Sequence, residues 1–303
     1  MRKYLILLAA LALAACQQAT EETAVEEAAK EESAVEATQA AVPSLADVLA
    51  AQSDEMKARY QYRHPQETLE FFGIESGMTV VEGLPGGGWY THLLVPLLGS
   101  EGHIIAVNYP IEIWPLFPFG NEEFVQRMST WATDFPAGVD EWRGENSAGI
   151  SAYTFGSIPD ELAGTADVVF FARVLHNLAN AENAGEGEFL TTALADAYSL
   201  LKPGGVFAVV QHEARAEMSD EFANGTQGYL KKDFVIAQVE AAGLAFVGEI
   251  AINANENDQP SASDIVWRLP PTYSGVDDDE ELRAAMDEIG ESNRMTLKFR
   301  KPD

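Results

Sequence analysis

The sequence predicts an α/β protein built as a doubly wound sandwich, a parallel seven-stranded sheet with helices packed on both faces. Two observations predict it. Several of the strand-like segments are apolar at nearly every position rather than at alternate ones, which marks strands buried on both faces. Helical patterns of about ten residues separate many of these segments, enough for crossover connections.

In chain order, Ser44 to Tyr60 and Pro65 to Phe72 read as helices, the second opened by Pro65 and stopped by Gly73. Gly77 to Glu82 is a short buried strand, Trp89 to Leu98 a helix closed by Gly99, and Gly102 to Asn108 the next strand. The loop "YPIEIWPLFPFG", Tyr109 to Gly120, is apolar, and its prolines forbid a regular helix. Glu122 to Thr133 is predicted as a helix, Ile150 to Phe155 as a strand, and Ala166 to Leu175 as a strongly apolar strand. Phe189 to Leu201 is then a helix, Gly204 to His212 a strand, Lys231 to Ala242 a helix, and Leu244 to Asn253 and Arg294 to Lys301 the last two strands. A ligand of such a sheet lies beyond the carboxyl ends of the strands where strand order reverses. The residues there are Glu82 to Gly88, Asn108, Arg173 to Asn177 and Gln211 to Glu213.

Charge and cysteine content narrow the function. A formal net charge of -29, from 19 Lys and Arg against 48 Asp and Glu, argues against a nucleic-acid partner, which needs clustered cations. The single cysteine is Cys16, so the chain has no intramolecular disulfide and no thiolate nucleophile beyond it. The five histidines form no HxH or HxxxH pair, so no local pattern supports a metal site.

Residues 1–15 have a cationic start, an apolar stretch and a small-residue end, the pattern of a secretory signal. The end, "LAAC", resembles a bacterial lipobox, with cleavage before Cys16 and lipid on it. Gln17 rather than Asp then implies the periplasmic side of the outer membrane, where the lipid is the membrane contact. Residues 16–42 are Ala, Glu and Thr without an aromatic and read as a disordered acidic tether; residues 43–303 form the domain.

The stretch "VVEGLPGGGWYT", Val80 to Thr91, ends a strand in an acid and follows it with clustered glycines and a helix, so backbone approaches a ligand without Cβ obstruction. Together with "LLKPGG" before "VFAVV" and "DVVFFARVLHNL", it resembles the class I S-adenosylmethionine-dependent methyltransferases. More narrowly it is similar to exported bacterial predicted methyltransferases marked by "PGGGWYT", a "VLHN" turn and a "GES-RM-LKF" ending. The resemblance implies a Rossmann-like methyltransferase fold, mostly parallel, with an antiparallel strand set inside the sheet. It implies S-adenosyl-L-methionine as cofactor, with Glu82 at its amino-acid end, Gly86, Gly87 and Gly88 along its path and Asn108 at the ribose. Leu84 stands where the first loop glycine is usual, and Asn108 where an acid is usual.

His176 matches the base histidine of small-molecule O-methyltransferases and is the candidate catalytic residue. Arg173, His212, Glu213 and Tyr229 are candidates for holding the small-molecule acceptor. The expected function is methyl transfer to such an acceptor by a lipid-anchored enzyme. Two other readings remain open. One is a non-catalytic ligand-binding lipoprotein on a repurposed methyltransferase fold, which the export signal, Leu84 and Asn108 favour. The other is a dinucleotide-dependent α/β enzyme, which the glycine spacing fits poorly.

Overall fold

The computed structural model describes residues 42–276 and 279–303. The predicted signal, Cys16 and almost all of the tether lie outside the described residues. Residues 42–303 form one compact unit around a seven-stranded sheet. Its order is β3-β2-β1-β4-β5-β7-β6, with β1 Thr79–Gly83, β2 His103–Asn108, β3 Gly149–Thr154, β4 Ala166–Ala172, β5 Leu201–His212, β6 Ala245–Glu249 and β7 Arg294–Arg300. Strands β1 to β5 are parallel, and β7 runs antiparallel between β5 and β6, with Val209 opposite Leu297. The sequence reading of a doubly wound, mostly parallel sheet holds, including the antiparallel strand inside it.

Two cores flank the sheet because successive side chains of a strand point to opposite faces. Val81, Ile105, Val169, Phe207 and Leu297 join one core, while Val80, Ile104, Val168 and Phe170 join the other. Helices α1 (Leu45–Ala51), α4 (Pro65–Phe72), α5 (Thr91–Leu98) and α7 (Trp131–Asp140) bury apolar residues in the second core. Helices α8 (Leu175–Asn183), α9 (Phe189–Leu200) and α10 (Lys232–Ala241) do so in the first. The strands differ in burial as their positions dictate: central β4 is nearly all buried, whereas edge strand β6 is largely exposed.

Several predicted elements are divided by local capping. Instead of one helix from Ser44 to Tyr60 there are α1, α2 (Asp54–Lys57) and α3 (Tyr60–Arg63). Gln52 is extended and the Ser53 hydroxyl accepts from Met56 N, which starts a new helix rather than continuing the old one. The helix predicted over Glu122 to Thr133 is α6 (Glu122–Ser129) followed, after Thr130, by α7. The proline-rich loop carries a 3-10 turn over Ile111–Leu116, tight enough to accommodate Pro115. The long strand predicted over Leu244 to Asn253 stops at Glu249; Asn253 is instead held by its amide against Thr68 and Thr296. Helices α8 and α11 (Glu280–Ile289) were not predicted, though Asp279 caps Leu282 N at the start of α11. No helix among the described residues is long and apolar enough to cross a membrane.

Candidate functional site

Strand order reverses between β1 and β4, and the chain leaves both strands through strained turns. Leu84 after β1 has φ +47° and Arg173 after β4 has φ +64°, a region that costs a non-glycine residue about 1–3 kcal/mol. Leu84 therefore occupies a position where glycine would be unstrained, and Arg173 ends the strand predicted to run on to Leu175. The backbone of each is pinned to a neighbouring strand: Leu84 N donates to Val107 O at 2.7 Å and Arg173 N to Val210 O at 2.7 Å.

The glycine turn follows. Gly86 and Gly88 have φ of +59° and +76°, and a Cβ on Gly87 would meet nothing within 4 Å. Gly86, Gly87 and Gly88 line a cavity of about 340 Å³ whose far wall is Trp131, Phe135 and Trp142. Glu82, at the end of β1, is buried and accepts a 2.7 Å hydrogen bond from the Thr91 hydroxyl. Burial pushes its carboxyl up to about 7, against the opposing pull of the Thr91 bonds. Asn108 is also buried, its Oδ1 accepting from Tyr109 N at 2.8 Å. The Tyr109 hydroxyl donates to Val174 O at 2.6 Å, so this ring spans from the end of β2 to the end of β4, across β1 between them.

A second cavity, of about 190 Å³, is lined by Leu84, Arg173, His176, His212 and Ser292, with Trp267 and Pro271 among its apolar walls. Arg173, His176 and His212 are thus brought together, while Gly86 to Gly88 face a different cavity and Glu82 and Asn108 line neither. His176 is buried, and burial, opposed by its bond to Gln211, brings its pKa down to about 4. The Gln211 amide nitrogen lies 3.2 Å from His176 Nδ1 and also donates to Gly228 O at 3.3 Å. His176 Nδ1 thus faces the Gln211 amide, with Oε1 at 3.4 Å and the nitrogen at 3.2 Å. Near neutral pH His176 is therefore a neutral imidazole, less basic than an ordinary histidine. Burial first, then the neighbouring His176 and Arg173, holds His212 well below its ordinary range, and its Nδ1 is 2.6 Å from Ser292 Oγ.

Behind the cavity lies a group of cations that sequence reasoning missed. Glu291 receives Arg59, Arg63 and Arg294, with Arg63 Nε at 3.1 Å and Arg294 Nη1 at 3.0 Å. Burial pushes the Glu291 carboxyl up, but Arg294, Arg63, Arg173 and Arg59 outweigh it and hold the group at about 2. Arg173 makes no ion pair among the described residues. Glu291, Ser292 and Arg294 belong to the "GES-RM" stretch, which carried a resemblance in the sequence but no chemical role there.

Two candidates stand apart from this arrangement. Glu213 does not share the cavity with His212, because adjacent strand residues point to opposite faces; its carboxylate is 3.6 Å from Lys232 Nζ. Tyr229 is fully buried, its hydroxyl 2.9 Å from Asp258 Oδ2 and accepting from Arg268 Nη1 at 3.0 Å, so its polar atom is spent on structure.

No protein-family model and no curated protein matches the chain. Solved structures resemble it in fold. A chain of the complex between the Haloferax volcanii Trm112 methyltransferase activator and a methyltransferase matches at 15% identity, covering 85% of this chain and 98% of that one, with a TM-score of 0.49. An S-adenosylmethionine-dependent methyltransferase from Aquifex aeolicus matches at 17% identity, covering 70% and 94%, with a TM-score of 0.44. An arsenic(III) S-adenosylmethionine methyltransferase from Chlamydomonas reinhardtii matches at 16% identity, covering 87% and 75%, with a TM-score of 0.39. The likeness is one of fold and says nothing about an acceptor.

At the glycine turn an open backbone faces a cavity within the 300–1,000 Å³ range of small-molecule sites, room for part of a nucleoside cofactor, although Glu82 does not line it. At the ribose end the fit is poorer, since Asn108 is buried and neutral and its Oδ1 already accepts from Tyr109 N.

Proposed function

We propose that this protein is an S-adenosylmethionine-dependent methyltransferase acting on a small molecule, anchored by lipid on Cys16 at the periplasmic side of the outer membrane. The observation that supports it best is the glycine turn, with Gly86 and Gly88 at positive φ, set at the strand-order reversal beside a cavity carrying Arg173, His176 and His212. When bound, the cofactor supplies an electrophilic methyl group. The residues that would hold it are Glu82 at the amino-acid end, Gly86, Gly87 and Gly88 along its path and the Asn108 amide at the ribose.

The protein's own contribution is chiefly to position the acceptor, since methyl transfer depends on holding nucleophile and methyl group at near-attack distance. Arg173 offers a guanidinium, and His176 a neutral imidazole, to orient an acceptor in the smaller cavity. Arg173 is not a base and His176 is a weak one, so an acceptor that reaches the site already deprotonated or with a neutral lone pair suits it best. Tyr109 ties the ends of β2 and β4 together across β1 and keeps the two sides of the site in register.

A non-catalytic binding lipoprotein is the second reading, favoured by the low basicity of His176 and by its separation from the cavity of the glycine turn. Calorimetry on the full-length protein with S-adenosylmethionine and S-adenosylhomocysteine distinguishes the two. Micromolar binding, lost in Gly86→Asp, is expected; absence of binding by folded protein favours the second reading. Incorporation of labelled palmitate that disappears in Cys16→Ser is the expected result for the anchor.

A further inference from the structure

The smaller cavity gathers donors and positive charge in a protein that is otherwise strongly acidic. Four guanidinium groups, Arg59, Arg63, Arg173 and Arg294, surround one carboxylate, Glu291. Glu291 is already shared among three of them. Arg173, the one whose side chain lines the cavity, is left without an ion pair among the described residues. Nε of Arg294, a side chain 3% exposed, is also buried without a hydrogen-bond partner. After burial, Arg173 is the largest influence pulling the Arg63 guanidinium down to about 10, a sign that the two cations repel each other across this space.

The remaining polar lining adds no negative charge except Glu291. His176 presents a neutral imidazole, its Nδ1 against the Gln211 amide, and the Ser292 hydroxyl and His212 hold one another. Asn177 and Thr272 add neutral polar groups, and Leu84, Val266, Trp267, Leu269, Pro270 and Pro271 make the apolar part of the wall. A fixed cation backed by surplus positive charge, facing an apolar wall, suits an amphiphilic anion. A guanidinium is also the side chain best matched to a planar two-oxygen group. The cavity is small, about 190 Å³, which favours a compact ligand over a nucleotide.

We propose that this cavity is the site of a small apolar carboxylate, an aromatic or short aliphatic acid, whose carboxylate pairs with Arg173 and whose body lies against Trp267 and Pro271. The proposal rests on reading the cavity as the acceptor's place, and it names the acceptor's chemical class. A carboxylate arrives deprotonated at neutral pH, so it needs no base from a site whose histidines are held below their ordinary range. The strained backbone at Arg173 has a role on this account: it turns the guanidinium off the end of β4 into the cavity instead of along the strand.

The test is calorimetry on full-length protein with propionate, benzoate and 4-hydroxybenzoate, each against its amide, with and without saturating S-adenosylhomocysteine. At least one acid is expected to bind, and its amide to bind roughly tenfold more weakly or worse, the ratio expected for a lost charge-assisted bond. Arg173→Gln should remove that preference while leaving S-adenosylhomocysteine affinity unchanged, and circular dichroism should show the variant folded. Equal binding of acid and amide, or binding of none of the three acids, overturns the proposal even without the variant. So does competition between the acid and S-adenosylhomocysteine, which would assign Arg173 to the carboxylate of the cofactor. If an acid binds through Arg173 and S-adenosylhomocysteine does not bind at all, the carboxylate site stands and the methyltransferase reading falls. The reverse pattern leaves the methyltransferase reading standing and removes this one.

Discussion

Arg173 carries two local costs, a left-handed backbone and a guanidinium with no ion pair among the described residues. Asn tolerates that backbone better than most residues and removes the repulsion with Arg63, so Arg173→Asn should be as stable as the parent or about 1 kcal/mol more stable in urea denaturation. Glu291 is the opposite case. Glu291→Gln leaves three arginines facing one another and should destabilise the fold by about 3–5 kcal/mol by the same measurement. Protonation does the same thing more gradually: held at about 2 against an ordinary 4.5, Glu291 contributes stability that is lost as pH falls from 4.5 through 2. His176, brought down from 6.5 to about 4, destabilises the fold as pH drops across that interval, because the unfolded chain then binds a proton the folded chain refuses. Glu82 works the other way. Raised from 4.5 to about 7, it contributes stability that is complete below 4.5 and lost as pH rises through 7. Urea denaturation of Glu82→Gln should therefore show stability climbing more steeply between pH 4.5 and 6.5 than in the parent.

Among the elements, the turns at the carboxyl edge set the site more than the strands do. The Tyr109 hydroxyl joins the ends of β2 and β4, and Tyr109→Phe leaves the Val174 carbonyl without that donor. The expected cost is about 1–2 kcal/mol, measured by chemical denaturation. Strand positions were legible in the sequence because "VVFFA" and "VFAVV" have no polar residue to send outward, so burial on both faces was the only solution. The break at Ser53 was less legible: the Ala, Glu and Lys around it favour helix, and one hydroxyl cap decides the matter. Helix α8 was missed because "ARVLHNL" continues an apolar strand, and the turn at Arg173 uses a conformation that arginine does not advertise. The site was legible only in part for the same reason. Arg173, His176 and His212 meet at strand ends that sequence order could anticipate, whereas Arg63, Glu291 and Ser292 come from opposite ends of the chain.

At the scale of the whole molecule, a net charge of -29 surrounds a small region in which arginine outnumbers glutamate four to one. Self-repulsion over the rest of the surface is screened by salt, so raising NaCl from about 10 mM to about 500 mM should raise the melting temperature. The buried Glu291 cluster is largely insulated from such screening, and it packs α3 and the start of β7 together. Sheet order brings the glycine turn and the arginine-lined cavity to one edge, which is the geometry a two-ligand site requires. Whether the glycine turn takes a nucleoside cofactor is the central claim. Titration of the full-length protein with S-adenosylhomocysteine tests it most directly: micromolar binding that Gly86→Asp abolishes is the expected result, and no binding by a demonstrably folded protein would contradict it.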